Sequence, residues 1–521
     1  MNKVMTAAQA SSLIRNSDTI LITGSGGGVM DADFIYQAIE KRFLETGNPN
    51  NLTLVHVTGI GNGKEKGVSR FAHKGMVKRV IGGHWGWSPQ MIKLALENEI
   101  EAYNLPQGVL SLLTREIAGG REGLLTPVGL KTFIDPRYEG AKLNPITKED
   151  LVELVEISGK KLLFYKSFPI NVVIVRGTTA DEEGNITVEQ EAANLDVFSS
   201  AQAAYNSQGI VIAQVKYLAQ KKSLNSRMVK IPGFMVNAVV VNPEQWQTCE
   251  GEYNPSFSGE IRIPMHEIEP LDFNIRKVVA RRASLELRPG TIVNLGFGIA
   301  DGVANISAEE ELSEKIVFTI EQGLIGGVPA KGDIFGAGFN PDAIIDAPYQ
   351  FDFFHGGGLD MAFLGMAQVD QAGNVNVSKF GENLPGCGGF IDISQNSKEV
   401  IFCATFTAGG LKVKIEDGRL KIVQEGRVRK FLTHVEQITF SGEFAAQHNQ
   451  IVHYVTERAV FKLHKNGLEL IEVAPGIDLE RDILDQMDFV PNISKSLKTM
   501  DPRIFRPEKM NLKEERIWQD E

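Results

Sequence analysis

Residues 316–329, Ile316-Val317-Phe318-Thr319-Ile320-Glu321-Gln322-Gly323-Leu324-Ile325-Gly326-Gly327-Val328-Pro329, decide the fold of this chain. Their first five, strand-forming and nearly all apolar, read as a buried parallel strand that stops abruptly at a carboxylate and a glycine-rich turn. Glu321 therefore stands at a strand's carboxyl end, and ligands of open α/β sheets bind in the crevice beyond the strand tips. A carboxylate there serves as a base, a metal ligand or a nucleophile. A glutamate on an idle surface loop is the plainer alternative, and the remaining sequence decides between them.

At 521 residues the chain exceeds one hydrophobic core and predicts two to four domains. With 43% hydrophobic and 23% charged residues it has the composition of a soluble globular protein. No apolar run approaches the roughly 20 residues of a membrane helix, and the first ten residues lack a signal peptide's apolar core, so a cytoplasmic location is expected. Cys249, Cys387 and Cys403 lie far apart with no C-x-x-C pair, which argues against a disulfide framework and a zinc site. A net charge of −11 disfavours non-specific nucleic-acid binding while leaving room for an anionic ligand in a local pocket.

Along the first half, strands at Thr19–Thr23, Leu52–Val57 and Val77–Ile81 each run toward glycines, and Ala102–Gly108 reads as a further strand ending in a polar Pro106-Gln107-Gly108 turn. Residues 114–166 lack a clear period and read as an insertion. Prolines at 243, 255, 264 and 270 mark a linker over 243–272. Beyond it the chain starts again. Gly290–Ile299 repeats the strand and glycine loop of the first half, and Asp181-Glu182-Glu183-Gly184-Asn185 returns as Asp370-Gln371-Ala372-Gly373-Asn374. Two matches in one order indicate a duplicated α/β domain, 1–242 and 273–521.

The familiar catalytic patterns fail. Gly24-Ser25-Gly26-Gly27-Gly28 does not match the dinucleotide fingerprint G-x-G-x-x-G, because residue 29 is Val. The nine histidines show neither H-x-x-x-H nor H-E-x-x-H spacing, and no G-x-S-x-G elbow occurs. His355-Gly356-Gly357-Gly358 before a strand is the remaining candidate, since consecutive glycines leave backbone amides open to a ligand.

Glu321-Gln322-Gly323 with Ile325-Gly326-Gly327-Val328-Pro329, the loop Gly296-Phe297-Gly298-Ile299-Ala300-Asp301, and His355-Gly356-Gly357-Gly358-Leu359-Asp360 together resemble the family I coenzyme A transferases. The bacterial acetate or propionate coenzyme A-transferase group is the nearest in pattern, and the resemblance covers essentially the whole chain. It implies two related α/β domains with the active site at their interface, Glu321 as nucleophile, Gln107 as partner of the substrate carboxylate, and a homo-oligomer, often a tetramer. With it come catalytic roles for Gly357 and Gly358 and coenzyme A contacts at Gly296, Gly298, Ala300, Gly326, Gly327 and Lys379.

Elementary chemistry agrees. A glutamate with an ordinary pKa near ~4.3 is ionised at neutral pH and attacks a thioester without the base a serine needs. Backbone amides of the Gly296–Gly298 and Gly356–Gly358 loops are the expected oxyanion donors. No metal or cofactor beyond coenzyme A is required. Arg276, Lys277, Arg281, Arg282 and Lys331, with Lys379, are the basic candidates for its phosphates, although 276–282 also reads as a solvated helix face. The expected activity is transfer of coenzyme A between a short-chain acyl-CoA and a carboxylic acid; an acyl-CoA hydrolase and a non-catalytic anion sensor are the alternatives.

Overall fold

In the computed structural model, which describes residues 3–264 and 271–519, the apolar runs of the first half form a seven-stranded sheet. Its strands are β1 (Thr19–Ile22), β2 (Leu52–His56), β3 (Val77–Gly82), β4 (Glu101–Asn104), β5 (Val172–Arg176), β6 (Ile210–Val215) and β7 (Ala238–Val241). They lie in the order β7-β6-β5-β1-β2-β3-β4, every neighbouring pair parallel. Both faces are covered. Val172 and Ile174 pack into one core while Val173 and Val175 pack into the other, which explains why these strands are continuously apolar.

The second half builds a ten-stranded sheet from β8 (Ile292–Leu295), β9 (Val317–Ile320), β10 (Leu324–Ile325), β11 (Ala343–Ile344), β12 (Met361–Gly365), β13 (Glu399–Cys403), β14 (Ile451–Val455), β15 (Ala459–His464), β16 (Gly467–Val473) and β17 (Asn492–Thr499). The order is β11-β10-β9-β8-β12-β13-β14-β15-β16-β17, and β9, β8, β12, β13 and β14 form its parallel centre. Ile320, Leu324, Ile334 and Ile391 of this half join the core beneath the first sheet, so the halves share packed apolar surface.

The duplication is visible atom by atom in the repeated turn. Asp181 Oδ1 accepts from the amides of Glu183 and Asn185 (2.9 and 3.0 Å) while Asn185 Nδ2 donates to Asp181 Oδ2 (2.9 Å). Asp370 makes the same three bonds with Ala372, Asn374 and the Asn374 side chain (3.0, 3.0 and 2.9 Å). Gly184 and Gly373 both sit at positive φ, 88° and 80°, where a side chain is strained.

Two stretches carry more structure than their sequence patterns announce. The aperiodic stretch 114–166 is largely ordered: its first residues continue the helix Gln107–Ala118, and Gly123–Thr126, Val152–Ile157 and Lys160–Lys166 form a three-stranded antiparallel sheet. Its polar residues hid a sheet with one solvated face. The predicted linker is no free tether either. Gln245, Gln247, Thr248, Ser256 and Phe257 are buried, the Cys249 amide donates to the Gly27 carbonyl (2.6 Å), and Phe257 packs on Phe339 with ring centroids 4.7 Å apart. Residues 265–270 of that stretch, including Pro270, lie outside the described residues. Among the described residues no helix is long and apolar enough to cross a membrane.

Candidate active site

Glu321 follows β9 directly, at the carboxyl edge of the parallel strands, and is only 8% exposed. Its Oε2 has no hydrogen-bond partner among the described residues. Burial pushes the carboxyl up to about 7, with the nearby Asp392 adding to the rise, against the opposing pull of its own backbone amide and the Asn294 and Gln322 side chains. Desolvation thus works against the ionised glutamate expected at neutral pH by raising its proton affinity.

The first half answers with Gln107. Beyond β4 the chain passes Leu105 and Pro106 and enters helix α1 (Gln107–Ala118), so Gln107 opens a helix and not a turn. Proline tolerates the position before a first helical residue, and Val109, Leu110, Leu112 and Leu113 supply the apolar face that holds the helix down. Gln107 is buried, its amide N–H donates to the Gly388 carbonyl (2.8 Å), and its side-chain amide makes no hydrogen bond to a described residue.

Gly388 and Gly389 bring the two halves face to face. A Cβ on Gly388 would lie 3.9 Å from Gln107 Oε1, and one on Gly389 would lie 3.5 Å from Glu321 Cγ. The turn that carries them is stitched to the first half: the Cys387 amide donates to Asn104 Oδ1 (2.8 Å) and the Gly388 amide to the Gly83 carbonyl (2.9 Å). The Gly389 amide donates to no described residue, which leaves it available beside Glu321.

Around these groups lies a cavity of about 580 Å³ lined from both halves. Trp87 lines it, lying so close to Gly26 and Gly59 that a Cβ on either would overlap the indole. Phe297, 58% exposed, and Phe335 also line it, meeting edge to face with centroids 5.7 Å apart. His84 borders the cavity too, and burial pushes it down to about 4, so it stays neutral near pH 7. Larger grooves of about 760 and 850 Å³ at the Asp370 turn and beside Arg503 do not reach Glu321.

Other expected positions fall elsewhere. Gly357 and Gly358 precede β12 and so lie at its amino end, whereas Glu321 follows the parallel strand β9 at the opposite edge of the sheet. Their amides are already spent closing helix α2 (Ala347–His355), on the carbonyls of Phe354 and Phe353 (both 3.0 Å), so neither is an oxyanion donor here. Gly296 lines the cavity, but its amide donates to the Phe363 carbonyl (2.8 Å). Gly298 sits in open space at φ 101°, and Ala300 is core. Gly326 and Gly327 are required by packing, since a Cβ would strike the Asp342 carboxylate and the Phe339 carbonyl respectively. Lys379 is half-buried two residues beyond Val377 of the cavity wall, and Lys331 precedes Asp333, which also borders it.

The basic helix Ile275–Ser284 is not a solvated face. Lys277, Arg281 and Arg282 are buried and paired with Glu309, Glu309 and Glu472 (2.6, 3.0 and 2.7 Å), while Arg276 is exposed and donates to the Gly298 carbonyl (2.8 Å). Among the described residues Glu286, Glu399 and His453 are close enough to share a metal ion, yet Arg282 and Arg288 already neutralise the two carboxylates. Sequence reading missed Gly388, Gly389, Trp87 and His84; the cluster Gly386-Cys387-Gly388-Gly389 was the one available signal.

Residues 4–242 match the family model described as coenzyme A transferase. The chain is 46% identical over 503 residues to the acetate CoA-transferase YdiF of Escherichia coli strain K12, covering 96% of this chain and 95% of that protein. It is 47% identical over 513 residues to the caffeate CoA-transferase of Acetobacterium woodii, covering 97% and 98%. Crystal structures of the acyl-CoA transferase YdiF from Escherichia coli O157:H7 superpose at 45% identity over 98% of this chain and 97% of theirs, with TM-score 0.94 for the apoenzyme and 0.93 for a thioester complex with CoA. The chain belongs to the coenzyme A transferases.

Proposed function

We propose that this enzyme moves coenzyme A between a short-chain acyl-CoA and a free carboxylic acid through a thioester on Glu321. The observation that carries this reading is the meeting of Glu321 and Gln107, from different sheets, at the consecutive glycines 388 and 389. The thioester complex of the related YdiF supports a covalent intermediate.

In this mechanism the Glu321 carboxylate attacks the thioester carbonyl of the acyl-CoA. The resulting oxyanion is met by the Gly389 amide, such a donor being worth on the order of 3 kcal/mol. Expulsion of the coenzyme A thiolate leaves an acyl-glutamyl anhydride. The thiolate then attacks the glutamyl carbonyl, releasing the acid and leaving Glu321 as a coenzyme A thioester. An acceptor acid docks its carboxylate against Gln107 and reverses the sequence. Desolvation strengthens the nucleophile, because a carboxylate stripped of water has less to lose on bonding to carbon. The reading includes no cofactor beyond coenzyme A, a cytoplasmic location and a homo-oligomer.

Intact-mass analysis after adding acyl-CoA should show a coenzyme A adduct, mapped to the peptide containing Glu321. Adding acetate should discharge it as acetyl-CoA. An adduct on another residue defeats the assignment, and discharge into water without acid would make the protein a hydrolase. Acetate, propionate, butyrate, lactate and acetoacetate form the acceptor panel; the aromatic cavity wall and the caffeate-named relative add an aromatic acid to it.

A further inference from the structure

His355 opens the triple-glycine motif, and its glycines are only a helix end, yet the histidine itself reaches beneath the site. Its Nε2 lies 2.9 Å from Oδ1 of Asp392, a residue of helix α3 (Phe390–Asn396) that is completely buried. The other oxygen of Asp392 accepts the amide N–H of Gly108, 2.9 Å away in the first turn of α1. One carboxylate from the second half thus holds the amino end of a helix from the first. Gly108 shows how close the contact is: a Cβ there would overlap the Phe351 ring and lie 2.6 Å from Asp392 Oδ1. Beside it, Gln107 donates its own amide to Gly388, so Gln107 is gripped by two points of the second half, the Gly388 carbonyl and, through Gly108, Asp392.

We propose that Asp392, oriented by His355, is a positioning residue that docks the start of α1 on the Gly388–Gly389 turn and thereby sets where the Gln107 side chain holds the acid. This rests on the reading of Gln107 given above. A buried carboxyl group is costly unless its oxygens are bonded, and here each has a hydrogen-bond partner, so the pair is fixed in one geometry. That geometry spans the seam across which donor and nucleophile must be aligned, and a shift of about 1 Å there costs on the order of 100-fold in rate.

The test separates coenzyme A loading of Glu321 from its acid-dependent discharge in single turnovers. Asp392→Ala should slow discharge at least ~10-fold and raise the KM for acetate, with a smaller effect on loading. If Asp392 acts through Gln107, adding Asp392→Ala to Gln107→Ala should cost little more than Gln107→Ala alone. Asp392→Asn should recover most of the activity, because its carbonyl oxygen still accepts from Gly108 while its amide can bond to the His355 ring nitrogen. Should Asp392→Ala fail to fold, His355→Leu against His355→Gln carries the same comparison, since only glutamine restores a donor to Asp392. Additive losses in the double variant, or equal losses in loading and discharge, overturn the proposal. A Gln107→Ala enzyme with normal discharge would instead refute the role of Gln107, and with it this mode of action.

Discussion

The buried carboxyl of Glu321 makes a quantitative prediction. Its ordinary value of 4.5 is lifted to about 7, chiefly by desolvation. In the folded state it keeps a proton that the unfolded chain has already lost between those limits, so it lowers stability progressively as pH rises from about 4.5 to about 7 and by a constant amount above. At 1.36 kcal/mol per pH unit the full penalty is on the order of 3 kcal/mol. Glu321→Gln keeps the size and hydrogen bonding of the side chain without the charge. Its melting temperature should match the parent's near pH 5 most closely, exceed it increasingly toward pH 8, and hold that margin beyond. Asp31 and Asp196, also buried and pushed up to about 8 and about 7, titrate in the same range in both proteins and cancel in the difference. The parent's rate of coenzyme A loading, measured in single turnovers, should fall about 5-fold from pH 7 to pH 6 and about 10-fold over the next unit, because only the ionised form attacks. His84, already pushed down to about 4, adds no titration there. A melting difference that does not change with pH, together with a loading rate flat from pH 7 to 5, would refute the account of Glu321.

Gln107→Ala should slow acid-dependent discharge by ~10- to 100-fold, since a hydrogen bond to a charged group is worth roughly 1.5 to 3 kcal/mol, while coenzyme A affinity changes little in a binding titration. Gly357→Val should leave turnover near normal: the site is open space at φ 81°, far from the catalytic edge, so the cost is backbone strain of about 1–2 kcal/mol, visible as a lower melting temperature. Gly389→Val should abolish loading in a fold that still melts cooperatively, because even its Cβ would lie 3.5 Å from Glu321 Cγ and the added methyls crowd the carboxylate. Arg458→Ala should cost about 3–5 kcal/mol of stability by stranding the buried Glu457 and half-buried Glu425 that it pairs with at 2.6 and 2.7 Å.

What could be read from sequence was what the chain writes locally. Ile316–Ile320 is a nearly all-apolar run closed by a carboxylate, the pattern of a strand covered on both faces. The repeated D-x-x-G-N turns were legible because three bonds demand Asp and Asn, and a positive φ demands Gly, at fixed offsets. The helix beginning at Gln107 was hidden by Pro106 and Gly108, which read as turn residues although proline is also at home before a helix; the helical spacing of Val109, Leu110, Leu112 and Leu113 held the contrary signal. Gly388 and Gly389 follow no strand and acquire their meaning only from a contact between residues nearly 300 positions apart in sequence, as the Gln107–Gly388 bond shows. The triple glycine 356–358 misled for the reverse reason. Free amides in a glycine run are an assumption until the helix before it has claimed them.

The enclosure of Glu321 also governs how long its intermediates last. Water outnumbers any carboxylic acid in a cell, and both an anhydride and a glutamyl thioester are open to hydrolysis, so a solvated nucleophile would squander the acyl-CoA it activates. A carboxyl that is 8% exposed, with Gly389 packed against its stem, presents few approaches to a loose water molecule. An acid that arrives with its own carboxylate secured by Gln107 is presented in the geometry of attack. Leakage of the high-energy bond is thus opposed by the same dryness that raises the proton affinity of the nucleophile, and a bond formed there waits for the next acid instead of the solvent.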